Sequence, residues 1–119
     1  MRSLAIGLAA VALLAGCGGN SPSQPAGSTK VTMTEFKFDP ADINVSGGKV
    51  VFFLVNSGTT SHDLAIRDSS GNRVAVSELV SAGDSSVFTV DNLPAGKYTI
   101  ACTQPGHESS GMKGTLTAT

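Results

Sequence analysis

The 119-residue chain is poor in the residue types on which many catalytic and nucleic-acid-binding proteins depend. It has no tryptophan, two histidines and two cysteines, and 14% of its residues are charged, against about 25% in an average soluble domain. Two imidazoles are too few for an enzyme with a second histidine-bound metal centre. The formal net charge of −1 provides no basic surface for phosphates, so we do not expect nucleic acid as a partner. The acidic residues are scattered singly, which argues against carboxylate-pair chemistry.

The chain also lacks an apolar run long enough to cross a membrane. Its longest apolar stretch, residues 4–16, has 13 residues, whereas a transmembrane helix needs about 20. Because Arg2 precedes this stretch, it predicts a signal peptide covering residues 1–16. The tetrapeptide Leu14-Ala15-Gly16-Cys17 resembles a bacterial lipobox, after which Cys17 carries the lipid. The alternative is an ordinary secretory signal with a leftover cysteine.

The segment after the signal peptide predicts a lipid-anchored linker at residues 17–28. It is rich in glycine, serine and proline and has no large apolar side chain, so it is expected to be flexible. Residues 29–119 then predict a single domain, held near a membrane by the lipid on Cys17. We expect a protein of the bacterial cell envelope, on the periplasmic side if the cell has two membranes.

The predicted domain shows the patterns of short β-strands. Residues 49–56 are a continuous run of β-branched and aromatic residues, which predicts a central strand buried on both sides. Residues 62–66 alternate, with His62 on the apolar face. The alternation changes phase within residues 31–38, which we interpret as a β-bulge near Glu35. These patterns predict an all-β fold, a Greek-key β-sandwich of seven to eight strands.

The sulfur and imidazole groups are concentrated near the end of the chain. Cys102, His107 and Met112 follow one another with four residues between each pair, in a segment broken into a loop by proline and glycine. The fourth candidate, His62, lies 40 residues upstream of the cysteine. A loop can turn three side chains toward one point, which a strand with alternating faces cannot do. Two imidazoles, a thiolate and a thioether suit type 1 copper, so we expect one copper ion at these four residues.

Each of these residues alone has a simpler explanation. A single histidine on a strand is more often structural, a single cysteine is more often a small buried hydrophobe, and methionine usually packs in the core. We interpret Met33 as core packing in this way. A disulfide between Cys17 and Cys102 is an alternative in an oxidising compartment, but it requires both the lipobox and the ligand loop to be accidents. Zinc is a poor native choice for one thiolate and a thioether.

At these residues the sequence resembles the cupredoxins, small blue-copper electron carriers, over nearly all of residues 30–119. The matching residues are Asn56-Ser57-Gly58, His62-Asp63, Leu93-Pro94-Ala95-Gly96-Lys97-Tyr98 before Cys102, Pro105-Gly106-His107 and Gly111-Met112. The loop spacing is more similar to auracyanin, rusticyanin and sulfocyanin than to plastocyanin. The resemblance implies an eight-strand Greek-key sandwich with copper at one end. It also implies that both histidines bind through Nδ1 and that Met112 is the axial ligand.

One position departs from the family pattern. Many cupredoxins have asparagine after the upstream histidine, whereas this chain has Asp63, facing Thr103. We predict that Asp63 and Thr103 lie next to the ligands and support them. An ionised Asp63 would favour Cu(II) and lower the reduction potential. The alternative is that a hydrogen-bonded Asp63 only fixes the position of the loop.

The sequence therefore predicts a membrane-tethered type 1 copper protein that carries single electrons between redox partners and is not an enzyme. Partners are expected to dock transiently near His107, and the domain is expected to be a monomer. The alternative is an envelope protein that delivers copper or confers copper resistance without redox turnover. Such proteins tend toward surfaces rich in methionine and histidine, which this chain lacks. A metal-free adhesion or scaffold domain would have no use for the four candidate ligands.

Overall fold

The computed structural model describes residues 21–119, so the predicted signal peptide and Cys17 lie outside the described residues. Within this part of the chain there are nine strands and no helix. The strands are β1 (Thr29–Thr34), β2 (Lys37–Asp39), β3 (Asp42–Val45), β4 (Gly48–Asn56), β5 (Ala65–Arg67), β6 (Arg73–Val76), β7 (Ser85–Leu93), β8 (Gly96–Ala101) and β9 (Lys113–Ala118). The all-β prediction is confirmed. In the predicted linker, Ser28 donates hydrogen bonds to the carbonyl of Pro25; its flexibility stays a prediction.

The nine strands form two sheets with the core between them. The order is β2-β1-β4-β7 in the four-stranded sheet and β3-β9-β8-β5-β6 in the five-stranded sheet. β1 runs parallel to β4 and β3 runs parallel to β9, while the other neighbours are antiparallel. Parallel neighbours require the chain to cross between the sheets, as in Greek-key sandwiches. The predicted Greek-key β-sandwich is confirmed, with nine strands instead of seven to eight.

The core is built from alternate residues of both sheets. On β4, Phe52 is wholly buried and stacks on Phe88 of β7, with ring centroids 5.8 Å apart. β4 lies between β1 and β7, as predicted for the central strand. Its opposite face is less covered, since Val51 and Val55 are only half-buried. Met33 is wholly buried in the core, as the sequence predicted.

The predicted β-bulge near Glu35 is wrong, because the chain reverses direction there. β1 and β2 pair antiparallel with Met33 opposite Phe38, so Glu35 and Phe36 form the tip of a two-residue hairpin. A reversal shifts the apolar alternation just as a bulge does, so the sequence pattern alone does not distinguish the two. Because β2 is a separate strand, the structure has nine strands instead of the predicted seven to eight. The Glu35–Phe36 peptide bond is cis.

The register of three strand pairs brings the candidate ligands to one end of the sandwich. Met33 lies opposite Asn56 in the parallel pair of β1 and β4, so the hairpin tip lies where β4 ends. Ala65 lies opposite Ala101, which places the start of β5 beside the end of β8. Ala101 also pairs with Lys113, so the loop between β8 and β9 leaves from and returns to the same place.

Candidate metal centre

Three of the four predicted ligands converge at this end of the sandwich. Nδ1 of His62 lies 3.1 Å from Nδ1 of His107. Sγ of Cys102 lies 3.5 Å from Nδ1 of His107 and 3.9 Å from Nδ1 of His62. Among residues 21–119, this is the one group of three or more histidine, cysteine and acidic side chains close enough to share a metal ion.

The spacing of these donor atoms fits one bound ion. Nitrogen and sulfur ligands lie about 2.0–2.3 Å from a first-row metal, so ligands spread around one ion stand roughly 3–4 Å apart. The three distances between the donor atoms fall in that range. A hydrogen bond between the two imidazoles would explain the 3.1 Å separation alone. It would not explain why the cysteine sulfur lies at a similar distance from both rings.

Met112 lies at the base of the same loop. Its side chain is wholly buried. Its backbone N–H donates to the carbonyl of His107 at 3.0 Å, and its carbonyl accepts from the N–H of Cys102 at 3.1 Å. These bonds hold Met112 next to two of the converging residues, where a thioether can serve as the weak axial ligand of type 1 copper.

The loop that carries His107 is folded mainly by its own backbone. The N–H of His107 donates to the carbonyl of Gln104 at 3.1 Å, and the N–H of Gly111 donates to the carbonyl of Glu108 at 2.9 Å. Gly106 has a φ of 78° and Gly111 a φ of 112°, both in the region that side chains disfavour. The two glycines therefore permit the turns that direct the loop residues inward.

His62 is held more tightly, by groups outside its own segment. It is wholly buried and exchanges two backbone hydrogen bonds with Val80, at 3.0 and 2.8 Å. The buried amide of Asn56 donates to the carbonyls of Val80 and Thr60 at 2.9 and 2.8 Å, and accepts from the N–H of Gly58 at 2.9 Å. One buried side chain thus joins the loop before His62 to the bridge that positions it.

Glu35 is a site residue that the sequence did not reveal. Its Oε1 lies 3.3 Å from Nε2 of His62, across the ring from the converging Nδ1. Hydrogen bonds from the N–H groups of Thr60 and Thr59 lower the pKa of Glu35 from 4.5 to about 2, so the carboxylate is charged. The pattern of residues 31–38 did not indicate a role for Glu35, because it fits a single bulged strand. At the tip of a hairpin, the side chain of Glu35 instead reaches His62.

Phe36, the second residue of the hairpin tip, contacts the other histidine. Its ring meets the His107 ring edge-on, with centroids 5.1 Å apart and an angle of 67° between the planes. Phe36 remains 40% exposed. Adjacent residues of one hairpin therefore contact both imidazoles of the site.

Burial sets the protonation states of two of the converging side chains. Desolvation lowers the pKa of His62, and Glu35 opposes this shift, so the imidazole is neutral at pH 7, as a metal ligand must be. Burial raises the pKa of the Cys102 thiol. A cation at the site would reverse this preference, because a coordinated thiol is deprotonated.

Asp63 contacts Thr103, the pair expected to face each other. Asp63 is buried, and its Oδ1 accepts from the N–H of Thr103 at 2.7 Å, while its Oδ2 accepts from the Thr103 hydroxyl. Because Thr103 follows Cys102, this pair connects the segment of His62 directly to that of the cysteine.

The comparison with known families agrees with this geometry. The family model described as a cupredoxin-like domain matches residues 7–118. The chain belongs to this family. Auracyanin-B from Chloroflexus aurantiacus is 36% identical to this cupredoxin over 78 residues, which are 63% of this chain and 33% of that protein. The chain thus spans about a third of the length of this curated relative.

Solved structures share the fold of this cupredoxin. Dithionite-reduced auracyanin from Roseiflexus castenholzii has a TM-score of 0.68 and 20% identity, covering 77% of this chain and 96% of that chain. Auracyanin A from Chloroflexus aurantiacus, described as a blue copper protein, has a TM-score of 0.66 and 21% identity, covering 78% and 100%. Cupredoxins bind one type 1 copper ion and carry single electrons, so copper is confirmed as the cofactor.

Proposed function

We propose that this cupredoxin carries single electrons between redox partners and is not an enzyme. His62, Cys102 and His107 would hold the copper ion as its strong ligands, and Met112 would supply a weak thioether ligand. The observation that supports this proposal is the approach of two Nδ1 atoms and one sulfur to within 3.1–3.9 Å of one another. When bound, copper supplies a one-electron couple between Cu(I) and Cu(II).

The residues around the ligands favour electron transfer by restricting their movement. His62 is fixed by its backbone bridge to Val80. The Asp63–Thr103 pair joins the two ligand segments, and backbone hydrogen bonds close the loop at Met112. We propose Asp63 and Thr103 as supports of the ligands. Ligands that hold one arrangement in both oxidation states need little reorganisation when an electron moves.

His107 is the proposed route by which electrons leave. It is half-buried, whereas the other proposed ligands are buried. The exposed residues Pro105 and Gly106 precede it, and the half-exposed ring of Phe36 lies against it. We propose that the domain is a monomer and that partners dock transiently on this small apolar surface. Redox encounters generally involve small interfaces.

A visible spectrum of the purified chain with one equivalent of Cu(II) tests the proposed function. We expect an intense Cys–Cu(II) charge-transfer band that ascorbate bleaches reversibly. Cys102→Ser should abolish the band, because it removes the thiolate donor. Ser109→Ala, which changes an exposed hydroxyl of the same loop, should retain it. Copper binding without the band, or binding of Cu(I) alone, would instead favour copper delivery or resistance.

We also propose that a lipid on Cys17 and the linker of residues 17–28 tether the domain in the bacterial cell envelope. The order of Arg2, the apolar stretch and the lipobox-like tetrapeptide supports this location. Among residues 21–119, no helix is long and apolar enough to cross a membrane. The intact mass of the mature N terminus tests the proposal, since an unmodified cysteine would contradict it.

A further inference from the structure

Both ring nitrogens of His62 have polar neighbours in the structure. Nδ1 faces the other proposed ligands, and Nε2 faces Oε1 of Glu35 at 3.3 Å. Because His62 is wholly buried, a proton on Nε2 must find its acceptor within the protein. Glu35 provides that acceptor.

The hydrogen bonds at Glu35 determine which form of the ring is favoured, because Oε1, which faces Nε2, already accepts from two backbone N–H groups. An ionised carboxylate can accept hydrogen bonds and cannot donate them. It therefore stabilises the imidazole with its proton on Nε2, which leaves the lone pair of Nδ1 directed toward Cys102 and His107. With the proton on Nδ1 instead, Nε2 and the carboxylate oxygen would be two acceptors facing each other.

The carboxylate of Glu35 is itself held in place from the other side. Oε1 accepts from the N–H groups of Thr59 and Thr60 at 2.7 and 2.8 Å. A Cβ added at Gly58 would lie 2.6 Å from the same oxygen, so glycine leaves the space that the carboxylate occupies. Phe36, the other residue of the hairpin tip, packs against His107, and this contact further restricts the movement of the tip.

From these contacts we propose that Glu35 is a positioning residue of the metal centre: its carboxylate fixes the Nε2–H form and the orientation of His62. The inference rests on the proposed function, in which His62 binds copper through Nδ1. A carboxylate behind a ligating imidazole also raises the basicity of that ligand. Glu35 therefore stabilises Cu(II) more than Cu(I) and lowers the reduction potential.

The first test uses the metal-free protein, so that it does not depend on the proposed function. Nitrogen-15 NMR distinguishes the two neutral forms of an imidazole, and the chain has only two histidines to assign. We expect His62 to be in the Nε2–H form in the wild type and in Glu35→Gln, whose amide oxygen can still accept. Glu35→Ala should give a mixture of both forms.

The second test uses the copper-loaded protein. Loss of a group that supports a metal ligand typically weakens metal affinity about 10–100-fold, and we expect this for Cu(II) in Glu35→Ala, with a smaller loss for Cu(I). Each tenfold difference between the two oxidation states raises the reduction potential by about 59 mV. Glu35→Gln should show an intermediate rise, because it retains the acceptor and loses the charge.

Two further variants separate position from charge. Gly58→Ala displaces the Glu35 carboxylate without removing it, so it should reproduce the mixed ring forms of Glu35→Ala. Glu108→Gln is the matched control, because this carboxylate contacts Arg67 and neither histidine. It should leave the ring form of His62 and the Cu(II) affinity unchanged.

The inference is overturned if Glu35→Ala lowers thermal stability but leaves the ring form and the reduction potential as in the wild type. In that case Glu35 would support only the backbone of the loop at Thr59 and Thr60. A wild-type chain that shows the expected ring form but gives no charge-transfer band would overturn the proposed function. The contact between Glu35 and His62 would then still be supported.

Discussion

The two histidines of the metal centre are held in opposite ways. His62 is wholly buried, bridged to Val80 and tied through Asn56 to the preceding loop. His107 is half-buried on a loop that is folded mainly by its own turns. The first side would hold a bound ion in fixed and dry surroundings, and the second would place the same ion close to the surface. The proposed electron transfer requires both properties, and separate segments of this chain provide them.

The largest loss of stability is expected at Asn56, on the tightly held His62 side of the site. Asn56→Ala should lower the free energy of unfolding of the metal-free protein by about 3 kcal/mol, since a buried group that loses its partner costs about 1–3 kcal/mol. Two carbonyls lose their donor and the N–H of Gly58 loses its acceptor. Urea denaturation measures this change. The control Ser109→Ala, on the His107 loop, should cost less than about 0.5 kcal/mol; equal losses would contradict the comparison.

An intermediate effect is expected at Asp63, which joins the two sides through Thr103. Asp63→Ala should cost about 2 kcal/mol, because hydrogen bonds to charged groups contribute about 1.5–3 kcal/mol. It should also raise the reduction potential, since a negative charge beside the metal favours Cu(II). Asp63→Asn should recover most of the stability and retain the higher potential. If Asp63→Ala left the reduction potential and the copper affinity unchanged, Asp63 would not support the ligands.

The smallest effect on stability is expected on the exposed side, at Pro105. Pro105→Glu should change the free energy of unfolding by less than about 0.5 kcal/mol. It should nevertheless slow oxidation of the reduced protein by ferricyanide several-fold at low ionic strength, because like charges reduce the encounter rate. Stopped-flow absorbance measures the rate. The control Ala95→Glu lies in the turn before β8, away from the metal centre; equal rates in both variants would contradict docking near His107.

The sequence was sufficient for the fold class and for the convergence of three of the four candidate ligands. The apolar run that became β4 could be recognised because its length and β-branched residues fit a central strand. The ligand loop could be recognised because glycine and proline mark its turns. The contact of Asp63 with Thr103 was anticipated from the family pattern, since each residue follows a candidate ligand.

Glu35 could not be found in the same way. Its contact with His62 joins residues 27 positions apart, and their neighbourhood depends on the parallel pairing of β1 with β4. Two-residue hairpins are usually marked by glycine, asparagine or aspartate, and the tip here is Glu35-Phe36. Without such a signal, the shift in alternation fits a bulge and a reversal equally well.

The hairpin tip has an evolutionary consequence. Adjacent residues of one turn contact different histidines, the charged Glu35 the buried one and the apolar Phe36 the half-buried one. Substitution at position 35 acts on the electrostatics of the buried ring, while substitution at position 36 alters the surface that covers the other. Because two neighbouring codons encode these contacts, a point mutation in this turn can alter the surroundings of one imidazole and leave the contact with the other in place.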